Sequence, residues 1–275
     1  MPQNSLITFD PPRLQNATML LAFTGWMDGG DASTGTVNHL LASLDVRKIA
    51  SIDPEGYYVY SFPGSMELSA QVRPMVKYEA GLIQKLTLPE NIFHCDERHR
   101  LVLFTGREPN LNWRDFGERI FDLARQVGIT RILFVGSFGG TVPHTREPRL
   151  YCSLSHEHLK PEFAKYGVRF SDYEGPASFV TYLVAHAPEA GFEVASIAAE
   201  IPGYLQGTNP LSIEAVTRRL AIMLGLQVDM AAMRMVSDEW TAEVSEMVER
   251  DAKLRKHILK LEKAYDKELM GAMEE

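Results

Sequence analysis

The feature that most constrains the fold is the alternation of short apolar runs with segments of helical period. Phe116, Ile120, Leu123 and Val127 recur at helical spacing, and Gly128 ends that helix. Short runs that are apolar throughout are typical of strands buried on both faces of a parallel sheet. We therefore predict an α/β fold, with a mostly parallel sheet covered by helices on both faces. The runs are ATMLLAF from Ala17, KIASI from Lys48, RLVLFTG from Arg100, ILFVGSFGG from Ile132 and FEVASIAAEIPG from Phe192, and a further helix is expected from about Asp31 to Leu44.

One segment departs from this alternation. Between Val72 and Leu88, VRPMVKYEAGLIQKLTL alternates apolar and polar residues around a turn at Glu79 to Leu82. Strict alternation on both sides of a short turn predicts a β-hairpin, here as an antiparallel insertion or an edge of the sheet.

The chain changes character again from Ser237, because neither Pro nor Gly follows until Gly271. Apolar residues then recur at alternating spacings of four and three, which predicts one or two long amphipathic helices. We divide the chain into an α/β core of residues 1–236 and a helical extension of residues 237–275. The extension either packs on its own domain or contacts a partner or a second copy. The heptad positions are Trp240, Val244, Met247, Leu254, Ile258, Leu261 and Tyr265, interrupted at Asp251.

Charge and cysteine content narrow the class of protein. A formal net charge of −8 over 275 residues gives no support to a general nucleic-acid surface, which needs a clustered basic face. Two cysteines are too few for a disulfide framework. No secretory leader and no run of 18 or more apolar residues is visible. We expect a cytoplasmic protein that binds neither nucleic acid nor membrane.

The first glycine-rich loop, TGWMDGGDASTGTV from Thr24, joins a predicted strand to a predicted helix. It matches neither the phosphate-binding loop, which needs a lysine after its glycines, nor the G-x-G-x-x-G dinucleotide motif. Gly29 and Gly30 fit a tight turn, and Asp31 is the predicted N-cap of the helix. The alternative is that Asp28 faces a ligand crevice at the carboxyl end of the sheet.

The second glycine-rich loop, GSFGGTVPHTREP from Gly136, also follows a predicted strand. Gly139 and Gly140 allow backbone N–H groups to approach a ligand, and Ser137, His144 and Arg146 add a hydroxyl, an imidazole and a guanidinium. This combination suits an anion. The equally weighted alternative is a long connection whose polar residues bond to its own backbone.

The third loop, AAEIPGYLQGTNP from Ala198, ends another apolar run. Glu200 is a candidate general base or ribose ligand, with Tyr204 and Asn209 nearby. The alternative, which we favour, is a local hydrogen bond or an ion pair, for example with Arg146.

Other polar clusters give little evidence of a functional site. HCDERH, from His94 to His99, has ligand residue types without the spacing of a standard metal site, and fits the end of a loop before the strand at Arg100. Neither Ser153 nor Ser155 lies in a G-x-S-x-G motif, so a hydrolase triad has no support. We expect no metal and no cofactor.

Several ordered segments resemble the proteasome assembly chaperone family, specifically bacterial and archaeal relatives of the second eukaryotic chaperone subunit. These segments are GWMDGGDA, FVGSFGG and AAEIPGYLQGTNPLSIEAVTRRLAIMLGLQVDM. The resemblance covers residues 17–235, and the tail is similar to the helical C-terminal extension of actinobacterial members. It implies a core similar to the purine nucleoside phosphorylase-like fold, a homotrimer, and proteasome subunits as possible partners.

The resemblance supplies no universal catalytic motif, and no lysine-bearing glycine loop supports ATP binding. Eukaryotic chaperones can dock through a C-terminal hydrophobic-Tyr-any tripeptide, whereas this chain ends GAMEE, so we expect no docking of that kind. We favour a non-enzymatic assembly or interaction protein. The second hypothesis is an enzyme or small-molecule binder, transferase-like or ligase-like, that holds an anion or nucleotide in the crevice.

Overall fold

The computed structural model describes residues 5–274. Residues 1–4 and Glu275 lie outside this range, so the C-terminal tripeptide of the sequence is only partly described. Within the described residues the strands are β1 (Leu6–Thr8), β2 (Ala17–Thr24), β3 (Arg47–Ile52), β4 (Met75–Glu79), β5 (Leu82–Thr87), β6 (Ile92–Asp96), β7 (Leu101–Arg107), β8 (Ile129–Gly140), β9 (Leu150–Leu154), β10 (Arg169–Phe170) and β11 (Glu193–Pro202). The α-helices are α1 (Ala32–Ser43), α2 (Met66–Val72), α3 (Trp113–Val127), α4 (Lys160–Ala164), α5 (Phe179–Ala190), α6 (Pro210–Leu224), α7 (Ala231–Glu249) and α8 (Ala252–Glu274).

The predicted α/β fold is confirmed. Nine of the described strands form one sheet in the order β1-β3-β6-β7-β2-β8-β11-β9-β10. Its four central strands, β7, β2, β8 and β11, are all parallel. The flanking pairs β3–β6 and β6–β7 are antiparallel. For β6 and β7 the reason is the link from Asp96 to Leu101, which is far too short for a parallel crossover. The closer likeness to the phosphorylase-like fold stays a prediction.

The central strands are buried on both faces, as their apolar composition predicts. On β2, Met19, Leu21 and Phe23 join a core shared with α3 and α5. The alternate residues Leu20 and Ala22 join a second core shared with α1 and α6. Successive side chains of a strand point to opposite faces, so two helical layers enclose the sheet.

The predicted hairpin forms outside the main sheet. Strands β4 and β5 pair antiparallel as a separate two-stranded sheet, from Met75–Thr87 to Glu79–Leu82. Every described residue of the two strands is exposed. Sequence alternation therefore predicted the hairpin correctly, although the main sheet does not bury its apolar residues.

The C-terminal residues form a pair of helices that packs on its own domain. Val244, Val248 and Ile258 form a small core between α7 and α8, with Tyr204 and Leu205 packed against it. Asp251, which interrupts the heptad pattern, accepts hydrogen bonds from the backbone N–H groups at 253 and 254, 2.8 and 3.1 Å away. The interruption is thus the cap of α8. Position 237 lies inside α7, and the division at that position stays a prediction.

The HCDERH segment differs from its prediction as a loop. His94, Cys95 and Asp96 lie in β6, and the turn to β7 follows. Asp96 accepts a hydrogen bond from the backbone N–H of His99 at 3.0 Å and lies 2.8 Å from its Nδ1. The polar residues close a hairpin turn, and among the described residues no group of three or more His, Cys, Asp or Glu side chains is placed to hold a metal ion.

Candidate functional site

The three polar loops meet at one edge of the sheet. Strands β2, β8 and β11 are parallel neighbours, so their carboxyl ends lie together. The backbone N–H of Ser137 donates to the carbonyl of Met27 at 2.8 Å. The N–H groups of Asn209 and Gly203 donate to the carbonyls of Gly30 and Gly140, at 2.8 and 3.0 Å. The loops are therefore joined directly, backbone to backbone.

Asp28 supports the first turn of α1. One carboxylate oxygen accepts from the backbone N–H groups of Ser33 and Thr34, both at 3.0 Å, and the other accepts from the Thr34 hydroxyl at 2.7 Å. Burial raises the pKa of the Asp28 carboxyl, although these hydrogen bonds act in the opposite direction. Asp31 occupies the N-cap position of α1, as predicted, but its side chain does not cap the helix: its φ is 55° and its carboxylate accepts from the Thr208 hydroxyl at 2.5 Å.

Gly29 and Gly30 lie in a tightly packed turn. A Cβ on Gly29 would lie 2.9 Å from Cδ1 of Ile201, and one on Gly30 would lie 2.8 Å from Cβ of Asn209. The φ of Gly30 is also positive, at 64°. Ser137, fully buried beside this turn, donates from its hydroxyl to the carbonyl of Gly29 at 2.7 Å. The backbone angle and the contact with Asn209 require glycine at position 30, and both glycines pack against protein.

Asn209 has a structural role of the same kind. Its side-chain oxygen accepts from the backbone N–H of Ser212 at 2.9 Å, which makes it the N-cap of α6. The residue is buried. Asp28, Gly29, Gly30, Ser137 and Asn209 thus form one cluster that starts α1 and α6.

Glu200 forms a second cluster with the loop after β8. One of its carboxylate oxygens accepts from the N–H groups of Thr141 and Val142 at 2.6 and 3.2 Å and from the Thr141 hydroxyl at 3.1 Å. The other oxygen accepts from Arg149 at 3.0 Å. The side chains of both partners are almost fully buried. The predicted local ion pair exists, but its cation is Arg149, where Arg146 had been suggested.

The two glycines of this loop differ in how closely they are packed. A Cβ on Gly140 would lie 2.4 Å from both Cγ and Oε1 of Glu200. A Cβ on Gly139 would first meet Cα of Gly203, at 3.4 Å. Gly140 is therefore needed to admit the buried carboxylate, whereas Gly139 is exposed and has room.

His144 and Tyr204 form a third cluster, buried against α7. The Tyr204 hydroxyl accepts from the backbone N–H of His144 at 2.8 Å and lies 2.8 Å from Nδ1 of the same residue. The Ser245 hydroxyl donates to the carbonyl of Thr241 at 2.8 Å, so it accepts from Nε2 of His144, 3.1 Å away, and Nδ1 accepts the proton of the Tyr204 hydroxyl. Burial lowers the pKa of His144 and raises that of Tyr204 to about 12. This arrangement holds a neutral imidazole.

Arg146 faces α8. It donates through Nε and Nη2 to the two carboxylate oxygens of Asp266, at 2.8 and 2.9 Å, and through Nη1 to the carbonyl of Thr145 at 3.1 Å. The Asp266 carboxylate holds the pKa of Arg146 above its ordinary value. Arg146 and Asp28 therefore belong to different clusters, and the guanidinium already binds a carboxylate.

Sequence reasoning missed the groups that α8 contributes to this loop. The Thr145 hydroxyl donates to Glu262 at 2.5 Å, and Arg149 donates to Glu268 at 2.8 Å. The Tyr265 hydroxyl donates to the carbonyl of Glu147 at 3.0 Å. The spacing of the acids on α8 could have indicated these contacts. Glu262 and Asp266 are four residues apart and therefore share a helix face.

The site as a whole is a set of three internally bonded clusters, and α7 and α8 contact the loop after β8. Every polar side chain predicted for it has a hydrogen-bond partner from the protein itself. Such an arrangement fixes loops and helix termini. Among the described residues, no helix is long and apolar enough to cross a membrane.

Comparison with known proteins gives a consistent set of relatives. A model of the PAC2 family matches residues 22–248. A Mycobacterium tuberculosis structure described as a proteasome-assembly chaperone homologue is 26% identical, covering 88% of this chain and 99% of its own, with a TM-score of 0.76. A PAC2 family protein from Streptomyces avermitilis is 25% identical with the same coverages and a TM-score of 0.74.

A third solved structure, a protein of unknown function from Corynebacterium glutamicum, extends the similarity over almost the whole chain. It is 22% identical and covers 97% of this chain and 99% of its own, with a TM-score of 0.82. At this identity the likeness shows the fold. No curated protein sequence matches the chain.

Proposed function

Because the chain belongs to the PAC2 family, we propose that it works by binding other protein subunits, as a proteasome assembly chaperone does, and that it is not an enzyme. A relative described as a proteasome-assembly chaperone homologue, similar over most of both chains, supports this role. The partner we propose is a proteasome subunit. A cytoplasmic location and assembly as a homotrimer belong to the same proposal.

The geometry at the carboxyl edge of the sheet favours this role over catalysis. A catalytic acid, base or anion-binding group needs a free proton site or a free donor that faces the substrate. Glu200 accepts four hydrogen bonds, and Arg146 is bound to Asp266 through two nitrogens. These side chains hold the loops in place, so the polar residues at this edge of the sheet have a structural role.

The observation that carries the proposal is the apolar face of the β4–β5 hairpin. Val76 lies opposite Leu86, and Tyr78 lies opposite Ile83. Residues 76 and 78 share one face of β4 because they alternate with Lys77, and their partners on β5 face the same side across a bulge that leaves Gln84 unpaired. Tyr78 is 60% exposed, Ile83 59% and Leu86 58%. The other face presents the cross-strand pair Lys77–Lys85 at its centre, with the exposed Met75 and Leu82 at its two ends. The hairpin thus has the pattern of a half-buried sheet whose apolar face is left uncovered.

An uncovered face of this kind fits a protein partner. A lone two-stranded hairpin is marginally stable in water and gains from packing on another surface. Contiguous exposed apolar side chains mark interaction sites on soluble proteins. Within the described chain, β4 and β5 pair only with each other, so each also has a free edge for backbone hydrogen bonds. An exposed apolar face with free edges suits a folded subunit better than a small molecule, which needs a concave pocket.

Matched substitutions on the two faces of the hairpin test the proposal. Tagged protein is purified gently from its own cells and weighed by native mass spectrometry. The double variant Tyr78→Ser/Ile83→Ser alters one cross-strand pair of the apolar face, and Lys77→Ser/Lys85→Ser alters one pair of the opposite face. Because interface anchors dominate affinity, recovery of the proteasome subunit should fall at least about tenfold for the first variant and stay near wild type for the second.

Unchanged melting temperatures show that both variants are folded, as their exposed positions predict. Equal recovery of the proteasome subunit from the two variants would overturn the assignment of the apolar face. Wild-type protein that returns only copies of itself, or only a small molecule, would overturn the proposed partner.

A further inference from the structure

Three arginines near the carboxyl edge of the sheet face α8. Arg146 and Arg149 lie between β8 and β9, and Arg169 lies in β10; these three residues form the arginine cluster. Arg149 also binds the buried carboxylate of Glu200. Among the described residues, the acids that pair with Arg146 and Arg169 all belong to α8. Without α8, these two guanidinium groups would have no anionic partner within the described chain.

The second half of α8 supplies carboxylates to the whole arginine cluster. Asp266 binds Arg146 through two hydrogen bonds, 2.8 and 2.9 Å long. Glu268 bridges the other two arginines: one oxygen accepts from Arg149 at 2.8 Å, and the other pairs with Arg169. The helix therefore occupies the cluster in the way that an acidic helical ligand would.

The contact between this half of α8 and the arginine cluster is polar and shallow. Ile258 is the one buried side chain among those described in α8, and it packs with Val244 and Val248 of α7. Beyond Ile258, every described side chain of α8 is exposed or half-buried. The side chains of Asp266 and Glu268 are 45% and 46% exposed. Ion pairs this exposed are individually weak, so this half of α8 can exchange with another acidic helix.

The family match separates the arginine cluster from the helix that fills it. The PAC2 model covers residues 22–248, which include all three arginines. It ends before α8 begins at Ala252. The cluster thus lies in the part of the chain that matches the family, whereas its occupant lies outside that part.

We propose that the arginine cluster is a docking site for an acidic helix of a partner protein, and that α8 is its intramolecular occupant. Guanidinium groups bind carboxylates in a bidentate, directional manner, so the site selects carboxylates placed as Asp266 and Glu268 are. A small anion would satisfy one arginine without spanning the cluster. The site is separate from the β4–β5 hairpin, and α8 retains its structural role while it is seated.

A tethered helix is a strong competitor, because a segment joined by a short link has an effective concentration of about millimolar. An external helix therefore gains access when the resident one is weakened. Glu262→Gln/Asp266→Asn/Glu268→Gln removes the resident carboxylates from the full chain and leaves the arginine cluster unchanged. This weakened variant should bind an external acidic helix that the wild type excludes.

The matched control variant is Glu239→Gln/Glu243→Gln/Glu246→Gln. It makes the same chemical change and removes the same charge, but at exposed residues of α7. The probe is a fluorescently labelled peptide of residues 252–271, and a second peptide carries the three amide substitutions of the weakened variant. Fluorescence anisotropy at low salt measures both. The acid-bearing peptide should bind the weakened variant at least about tenfold more tightly than it binds the wild type or the control variant.

Two further variants locate the binding and guard against misfolding. Adding Arg146→Gln/Arg169→Gln to the weakened variant should return binding to the wild-type level; Arg149 is kept because it neutralises Glu200. Asp266→Asn alone changes one half-exposed side chain and should give an intermediate affinity, which decides the matter if the triple variant does not fold. Melting temperatures show which variants are folded.

The peptide with amide substitutions has the larger net positive charge, so non-specific attraction to this acidic protein would favour it. Equal or tighter binding of that peptide to the weakened variant would overturn the proposal. So would equal binding of the acid-bearing peptide by the control variant, or the lack of saturable binding by the weakened variant and by Asp266→Asn.

Discussion

The guanidinium of Arg146 binds the carboxylate of Asp266 through two parallel hydrogen bonds, 2.8 and 2.9 Å long. The loop after β8 and the helix α8 are thereby joined across 120 residues of sequence. The guanidinium that the sequence offers to an external anion is already paired with an anion from the same chain. This bidentate pair is partly exposed and helps to hold α8 against the loop.

Arg149 should matter more for stability than Arg146. Arg149 is nearly buried and neutralises the buried carboxylate of Glu200, whereas Arg146 is one-third exposed. Arg149→Met keeps most of the packing but leaves Glu200 without its cation, so we expect a loss of about 3 kcal/mol in the free energy of unfolding. Arg146→Met should cost clearly less because water screens that pair. Urea denaturation compares the two, and equal losses would contradict the roles assigned to these arginines.

His144 predicts a pH dependence of stability. Its folded-state pKa lies below the ordinary value of 6.5 because the ring is buried. The neutral ring thus contributes stability that is complete above pH 6.5 and is lost as the pH falls through the folded-state pKa. His144→Asn keeps an acceptor toward Tyr204 but does not titrate. The wild-type advantage in unfolding free energy should shrink between pH 7.5 and pH 5, and a constant difference would refute the neutral buried ring.

Gly140 and Gly139 form a matched pair for substitution. A methyl group at position 140 would overlap the Glu200 side chain at 2.4 Å, whereas one at position 139 would reach Cα of Gly203 at 3.4 Å. Gly140→Ala should destabilise the protein by about 2 kcal/mol through overpacking. Gly139→Ala should stay within about 0.5 kcal/mol of wild type, as surface changes do. Thermal unfolding measures both, and a tolerated Gly140→Ala would show that the Glu200 cluster is less tightly packed than the distances indicate.

Much of the fold could be predicted from sequence because its signals are local. The apolar runs of β2, β8 and β11 identified the central strands, and alternation around Glu79 to Leu82 identified the hairpin. The convergence of three loops followed from the rule that parallel strands end at one edge. These inferences need only the period of the pattern and the direction of the chain.

The partners of the site residues could not be predicted in the same way. Ser245 and Asp266 reach the loop after β8 from distant sequence positions, and Arg149 pairs with Glu200, 51 residues away. Only packing decides which acid meets which base. The choice of Asp28 over Asp31 as the support of α1 rests on one backbone angle, the left-handed φ of Asp31. The exposure of the hairpin face that carries Tyr78 could not be predicted either. Apolar and polar residues alternate in the same way whether the apolar face of a sheet is covered or exposed.

The most direct test of the account is photo-crosslinking from the hairpin in the protein's own cells. A photoreactive amino acid replaces Tyr78 on the apolar face or, as the control, Lys77 on the opposite face, and mass spectrometry identifies the crosslinked chains. We predict a crosslink to a proteasome subunit from position 78, at a yield well above that from position 77. Crosslinks from position 78 only to another copy of this chain, or equal yields from the two positions, would contradict the claim that a proteasome subunit covers this face.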